Sequence, residues 1–224
     1  MIRLSFFLVF VLFVAACRPD DVPPPDTDTD VAAEGEFVSL FNGTDLSGWT
    51  GATDGYSVED SVLVCRKDGG GNLYVDQPFS DFVFRFAFKL EPGGNNGVGI
   101  RAEQGEDAAY HGMEIQILDD SAAEYADLEP YQFHGSIYGV APAERGHLKP
   151  VGEWNEEEIR AVGNQVTVTL NGHVIVDADL REVAPEGQTL DGREHPGLFN
   201  ERGYIGFLGH DHRIEFRDIE IKTL

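Results

Sequence analysis

Acid, amide and imidazole side chains crowd one short stretch, Tyr110-His111-Gly112-Met113-Glu114-Ile115-Gln116-Ile117-Leu118-Asp119-Asp120. Glu114 and Gln116 alternate with Met113, Ile115 and Ile117, so on a strand they share the face turned away from the core. Gly97-Val98-Gly99-Ile100-Arg101 alternates in the same way, placing two glycines and Arg101 on one face with open room above the glycines. If the two strands are neighbours, Arg101 and Glu114 share one concave surface. An ordinary half-solvated sheet with a cross-strand ion pair has the same pattern. His134 lies in the aromatic and glycine-rich run Tyr131 to Gly139. There it is either a buried, hydrogen-bonded histidine or a general base or metal ligand, because imidazole titrates close to working pH. His210-Asp211-His212 is dense in ligand atoms, but residues two apart share a face only in extended chain, and no further ligand has a recognisable metal spacing. His111, His147, His173 and His195 read as surface or loop residues.

These side chains need strands to position them, and beyond residue 36 the dominant period is two. In Phe82 to Leu90 every even position is large and apolar. Similar alternation runs through Met113 to Ile117, Gln165 to Leu170 and Arg213 to Lys222. Turn signals separate these runs: Asn42-Gly43, Asp68 to Asn72, Pro92 to Gly97, and Asn171-Gly172, the last a strong hairpin signal. Only residues 156–160 hint at a helix. The expected fold is therefore all-β, an antiparallel β-sandwich or jelly roll.

The chain has 224 residues, 40 acidic against 16 basic, a formal charge of −24 and 42% hydrophobic content. That supports one sizeable core and excludes wholesale disorder. Nucleic acid is excluded as a partner, since so acidic a surface repels phosphates and no basic stripe offsets it. Met1-Ile2-Arg3, an apolar run from Leu4 to Val14 and Val14-Ala15-Ala16-Cys17 form a leader too short to span a bilayer, which takes about 20 apolar residues. Its end resembles a bacterial lipobox, which implies a signal peptide over 1–16, lipidation of Cys17 and membrane attachment through that lipid. Plain secretion with cleavage after Ala16 is the alternative. Residues 18–36, rich in Pro, Asp and Thr, read as an extended tether. Residues 37–224 form the domain and keep 33 of the acidic and 14 of the basic side chains. Cys65, in the apolar run Val62 to Cys65, reads as a small buried hydrophobe without a disulfide partner in the mature chain.

Six motifs in order carry a resemblance: Phe37 to Trp49, Gly97 to Arg101, Gly112 to Asp119, Gly152-Glu153-Trp154-Asn155, Leu170-Asn171-Gly172 and Glu215 to Ile219. Together they resemble the 3-keto-disaccharide hydrolase family over about residues 37–224. His134 to Gly139 and Leu148 to Asn155 resemble one branch of it. Leu208-Gly209-His210-Asp211-His212 departs from the Gln-Asp-His-Gly of many relatives. The resemblance implies a concanavalin A-like jelly roll in a secreted bacterial protein, acting on glycosides already oxidised to a ketone at C3. Such chemistry needs a base for the C2 proton, a group to hold the enolate and an acid for the leaving oxygen. The expected roles are His134 as base, Arg101 or a divalent metal ion as enolate stabiliser, and Glu114 as metal ligand or second acid–base group. A metal would sit among Glu114, Asp119 and His134. Gln116, Tyr138, Trp154 and Lys149 are the expected sugar contacts. A lipid-anchored place in the cell envelope, periplasmic or at the outer-membrane surface, follows from the leader; the residues set no oligomeric state. Other readings are a two-carboxylate glycosidase using Glu114 with Asp119 or Glu153, a non-catalytic carbohydrate-binding module, and a structural surface lipoprotein.

Overall fold

The structure, a computed structural model, describes residues 35–224. The expected signal peptide, Cys17 and the tether up to residue 34 lie outside the described residues. Among the described residues thirteen strands follow in chain order: β1 (Val38–Ser39), β2 (Trp49–Gly51), β3 (Tyr56–Glu59), β4 (Val62–Cys65), β5 (Gly71–Phe79), β6 (Phe82–Leu90), β7 (Asn95–Ala102), β8 (Met113–Leu118), β9 (Trp154–Val162), β10 (Gln165–Leu170), β11 (His173–Asp179), β12 (Gly203–Gly209) and β13 (Ile214–Thr223). They form an eight-stranded sheet, β11-β10-β9-β6-β13-β4-β3 with β1 on β13, and a five-stranded sheet, β2-β5-β12-β7-β8. Every pairing is antiparallel. The α-helix among the described residues is the single turn Leu180–Val183, and no helix there is long and apolar enough to cross a membrane.

The core lies between the sheets. Phe82, Phe84, Phe86, Phe88 and Leu90 of β6 point inward, as their period of two requires. Phe207 of β12 stacks on Phe216 of β13 across the layers, centroids 3.8 Å apart, and Trp49 stacks on Phe207 at 5.9 Å. Each such buried ring contributes about 1.5–3 kcal/mol relative to exposure. Asn171 and Gly172 close the β10–β11 hairpin with φ of 50° and 83°, the left-handed pair that matches the twist of the flanking strands.

Two expectations change here. Residues 156–160 are not helical but the middle of β9, with Asn155, Glu157, Ile159 and Ala161 turned inward. A run of three glutamates reads as helix by propensity, yet pairing with both β6 and β10 imposes the extended form. Arg101 leaves the face it was expected to share with Glu114. β12 pairs Tyr204 with Ala102 but Gly206 with Gly99, so β7 carries a bulge, and Arg101 sits in it at φ 49°. The extra residue breaks the alternation and sends the side chain to the strand end. There, 2% exposed, it donates to the carbonyls of Ser80, Gly163 and Asn200 and pairs with Asp81 at 3.0 Å. It ties together three segments distant in sequence and stands away from the cleft described next.

Candidate active site

The outer face of the five-stranded sheet is built from β8. Glu114 and Gln116 point outward between inward Met113, Ile115 and Ile117. Glu114 lies opposite Gly99 and over Gly97, where a Cβ would meet its Oε1 at 2.0 Å. Gly97 therefore makes the berth for this carboxylate. Ala108, from the β7–β8 connection, packs on Tyr74, Ala102 and Leu208 of the same face and brings Asp107 and Tyr110 beside Glu114. The β8–β9 connection adds Tyr125, Gln132 and Tyr138; the β11–β12 connection adds Arg193; the β12–β13 turn adds His210. Together they enclose a cleft of about 300 Å³.

Two polar pairs face it. His210 Nε2 lies 3.4 Å from Glu114 Oε1, the imidazole half exposed and the carboxylate 8% exposed. The hydrogen bond to Glu114 raises His210 above the ordinary histidine value, with help from the charges of Asp107 and Asp211 and against burial. Arg193 Nη1 donates to the Tyr110 hydroxyl. Burial pushes the Tyr110 phenol up while Arg193 opposes it, and Tyr110 in turn raises Arg193. Behind this pair, His195 Nε2 sits 3.1 Å from Asp191, and its ring meets Tyr110 edge-on at 4.7 Å. His195 is thus a loop residue, but a buried one. Gln132 Nε2 donates to the Tyr138 hydroxyl at 3.0 Å. Gln116 Oε1 and Asn95 Oδ1, buried at the lining, have no hydrogen-bond partner. Such acceptors suit the hydroxyl donors of a ligand.

Of the expected site residues, the cleft brings together Glu114, Gln116 and Tyr138. His134 is not among them. It is 2% exposed, accepts from Leu118 N–H at Nδ1 and packs on Phe88 between the sheets. Its Nε2 lies 3.1 Å from the Glu157 carboxylate, which is wholly buried, although the two are not aligned as a hydrogen bond. This is the buried-histidine reading, with the ring enclosed by the core. Asp119 accepts from Gly93 N–H and from Ser121 N–H and Oγ, bracing the turn after β8. Burial would raise its carboxyl, but these bonds hold it below the usual carboxylate value. Lys149 donates to the Trp154 carbonyl outside the cleft, and Trp154 lies on the outer face of the other sheet. With Glu114, Asp119 and His134 in cleft, turn and core, the expected metal set does not assemble. Among the described residues no three His, Cys, Asp or Glu side chains converge as a metal site. Neither Asp119 nor Glu153, the second carboxylates of the two-carboxylate reading, lines the cleft beside Glu114. Residues that sequence reasoning missed are Tyr110, Arg193 and Asn95, while His210 was weighed only as a weak ligand. Each lies in or beside a connection, where no periodicity announces a direction.

Fold and cleft define the class first: an antiparallel jelly roll with an acid–base pair and a cation-held phenol over one sheet. The chain belongs to the 3-keto-alpha-glucoside-1,2-lyase-like domain family, whose profile matches residues 36–222, and that membership puts it among glycoside-cleaving proteins. It is similar to a 3-keto-disaccharide hydrolase of Bacteroides thetaiotaomicron, 24% identical, the match covering 87% of this chain and 80% of that one. A crystal structure from Parabacteroides distasonis, provisionally named a glycosyl hydrolase, superposes with a TM-score of 0.74 at 28% identity, over 84% of this chain and all of that one. A carbohydrate-binding module from Bacillus subtilis shares the fold alone, with a TM-score of 0.54 at 16% identity over 79% and 96% of the two chains.

Proposed function

We propose that the cleft cleaves glycosides carrying a ketone at C3, and the observation that carries this is the Glu114–His210 pair facing Tyr110 and Arg193. The ketone acidifies the C2 hydrogen. His210, held by Glu114, takes that proton, and the C–H electron pair forms the C2=C3 enediolate. The Tyr110 hydroxyl, with the Arg193 cation behind it, donates to the C3 oxygen where negative charge develops. The C1–O bond then breaks, Tyr138 supplies the proton to the departing oxygen, and a C1=C2 double bond conjugated with the ketone remains. Water adding at C1, with proton return to C2, completes a net hydrolysis. Gln116 and Asn95 accept from sugar hydroxyls.

The family, the named relative and the free acceptors support this reading. The leader and Cys17 extend it: the domain works at the cell envelope on a lipidated tether. The test incubates the protein with a 3-keto-glucoside and with its unoxidised parent and follows aglycone release. The expected result is cleavage of the keto sugar alone, falling roughly 10²–10⁴-fold in His210→Ala. Equal cleavage of both sugars, or full activity in that variant, overturns it.

A further inference from the structure

The outer face of the eight-stranded sheet holds a second cleft, of about 440 Å³, on the side of the sandwich away from Glu114. Its origin is in the sequence of β6, whose outward residues run Arg85, Ala87, Lys89. The small Ala87 leaves a floor between two long cations. Across it stands Trp154 of β9, partly exposed, with Arg217 at 4.1 Å and Lys89 at 4.9 Å from its ring. The protein's other tryptophan, Trp49, is buried in the core. Arg85 is paired with Glu220 at 2.6 Å, whereas the Glu156 and Glu158 carboxylates have no hydrogen-bond or ion-pair partner among the described residues.

We propose that this slot binds a neutral saccharide chain without cleaving it. An indole wall matches the C–H face of a pyranose. Carboxylates and guanidinium groups around it bind paired hydroxyls from both the donor and the acceptor side. Both signs of charge line the slot, so it presents no single-sign field to select an ion. Two sites on opposite sheets let the domain hold a glycan on one face while the cleft works on a sugar end. The inference shares with the cleft only the saccharide class, and its test uses unoxidised sugar, so the two fail separately.

The intact protein is titrated with maltotetraose and with cellotetraose, reading tryptophan emission and heat. The expected result is saturable binding of at least one probe that shifts Trp154 emission. Trp154→Ala weakens that binding by roughly tenfold or more, with the melting point and the cleavage of a 3-keto-glucoside unchanged. Arg217→Ala weakens it in the same direction. No saturable binding up to tens of millimolar overturns the proposal. Binding that survives Trp154→Ala but is lost in Glu114→Gln overturns it as well, since the sugar would then sit in the first cleft.

Discussion

Gly97 supplies the sharpest test, because one methyl group there separates the chemistry from the fold. A Cβ on Gly97 would stand 2.0 Å from Glu114 Oε1 and 2.7 Å from its Cγ and Cδ, where ordinary contact begins near 3.4 Å. The carboxylate must therefore shift by about 1.4 Å, which disturbs its 3.4 Å approach to His210. Misplacing a reacting group by about 1 Å costs on the order of 10²-fold in rate. The backbone has no such objection: Gly97 lies within β7 and its φ is not positive. A glycine replaced by alanine at a compatible φ gains about 0.4–1 kcal/mol through the unfolded chain. Gly97→Ala should then lose kcat on the order of 10²-fold while melting no lower than the parent. Gly99→Ala is the control. Its Cβ meets the flexible end of Leu208 at 3.1 Å and Ala108 at 3.5 Å before any atom of Glu114, so activity should hold. The assay is kcat and KM for aglycone release from a 3-keto-glucoside beside a thermal melt. A folded Gly97→Ala protein with kcat within about threefold of the parent would remove the Glu114–His210 pair from the reaction.

His210 is raised above 6.5 chiefly by the hydrogen bond to Glu114, so Glu114→Gln should move the acid limb of kcat/KM to lower pH as well as lowering kcat. With the folded value above the unfolded one, His210 stabilises the protein below the unfolded value, and this is lost as pH rises through the folded value. His210→Ala should accordingly cost stability near pH 6 and almost none near pH 9, as denaturant melts at the two pH values would show. Arg101→Ala strips three carbonyls and Asp81 of their buried donor and should cost about 3 kcal/mol or more, with the specific activity of the folded fraction intact. Total loss of activity in a folded Arg101→Ala protein would count against the clamp. His134→Ala removes a buried ring packed on Phe88 beside Glu157, a loss of about 3 kcal/mol, again with turnover preserved in the folded fraction; Glu157→Gln, which keeps the shape, should cost less.

The sandwich was legible in the sequence because burial on one face of a strand enforces a period of two, and β6, β8 and β10 keep that period throughout. The outward side of β8 was legible for the same reason, so Glu114 and Gln116 stand where alternation puts them. Alternation says which face, but not which atoms from elsewhere arrive over it. Tyr110, Arg193 and His210 reach Glu114 from the β7–β8, β11–β12 and β12–β13 connections, whose paths depend on packing such as Ala108 on Leu208.

The two displaced catalytic assignments, Arg101 and His134, have a common cause. Each is a polar residue beside irregular backbone, and irregular backbone leaves N–H and C=O groups without ladder partners. Arg101 answers three such carbonyls at the bulge, and His134 Nδ1 answers the Leu118 N–H at the end of β8. In sequence these residues look reactive because they are polar among glycines and aromatics. That composition equally marks places where strands end or kink and a side chain must finish the hydrogen bonding. Glu114 differs in lying on a regular stretch of ladder, with its backbone paired on both sides, to Gly99 and to Tyr138 N–H. Its carboxylate is therefore free of structural duty, and a residue free of that duty is the one available to move a proton.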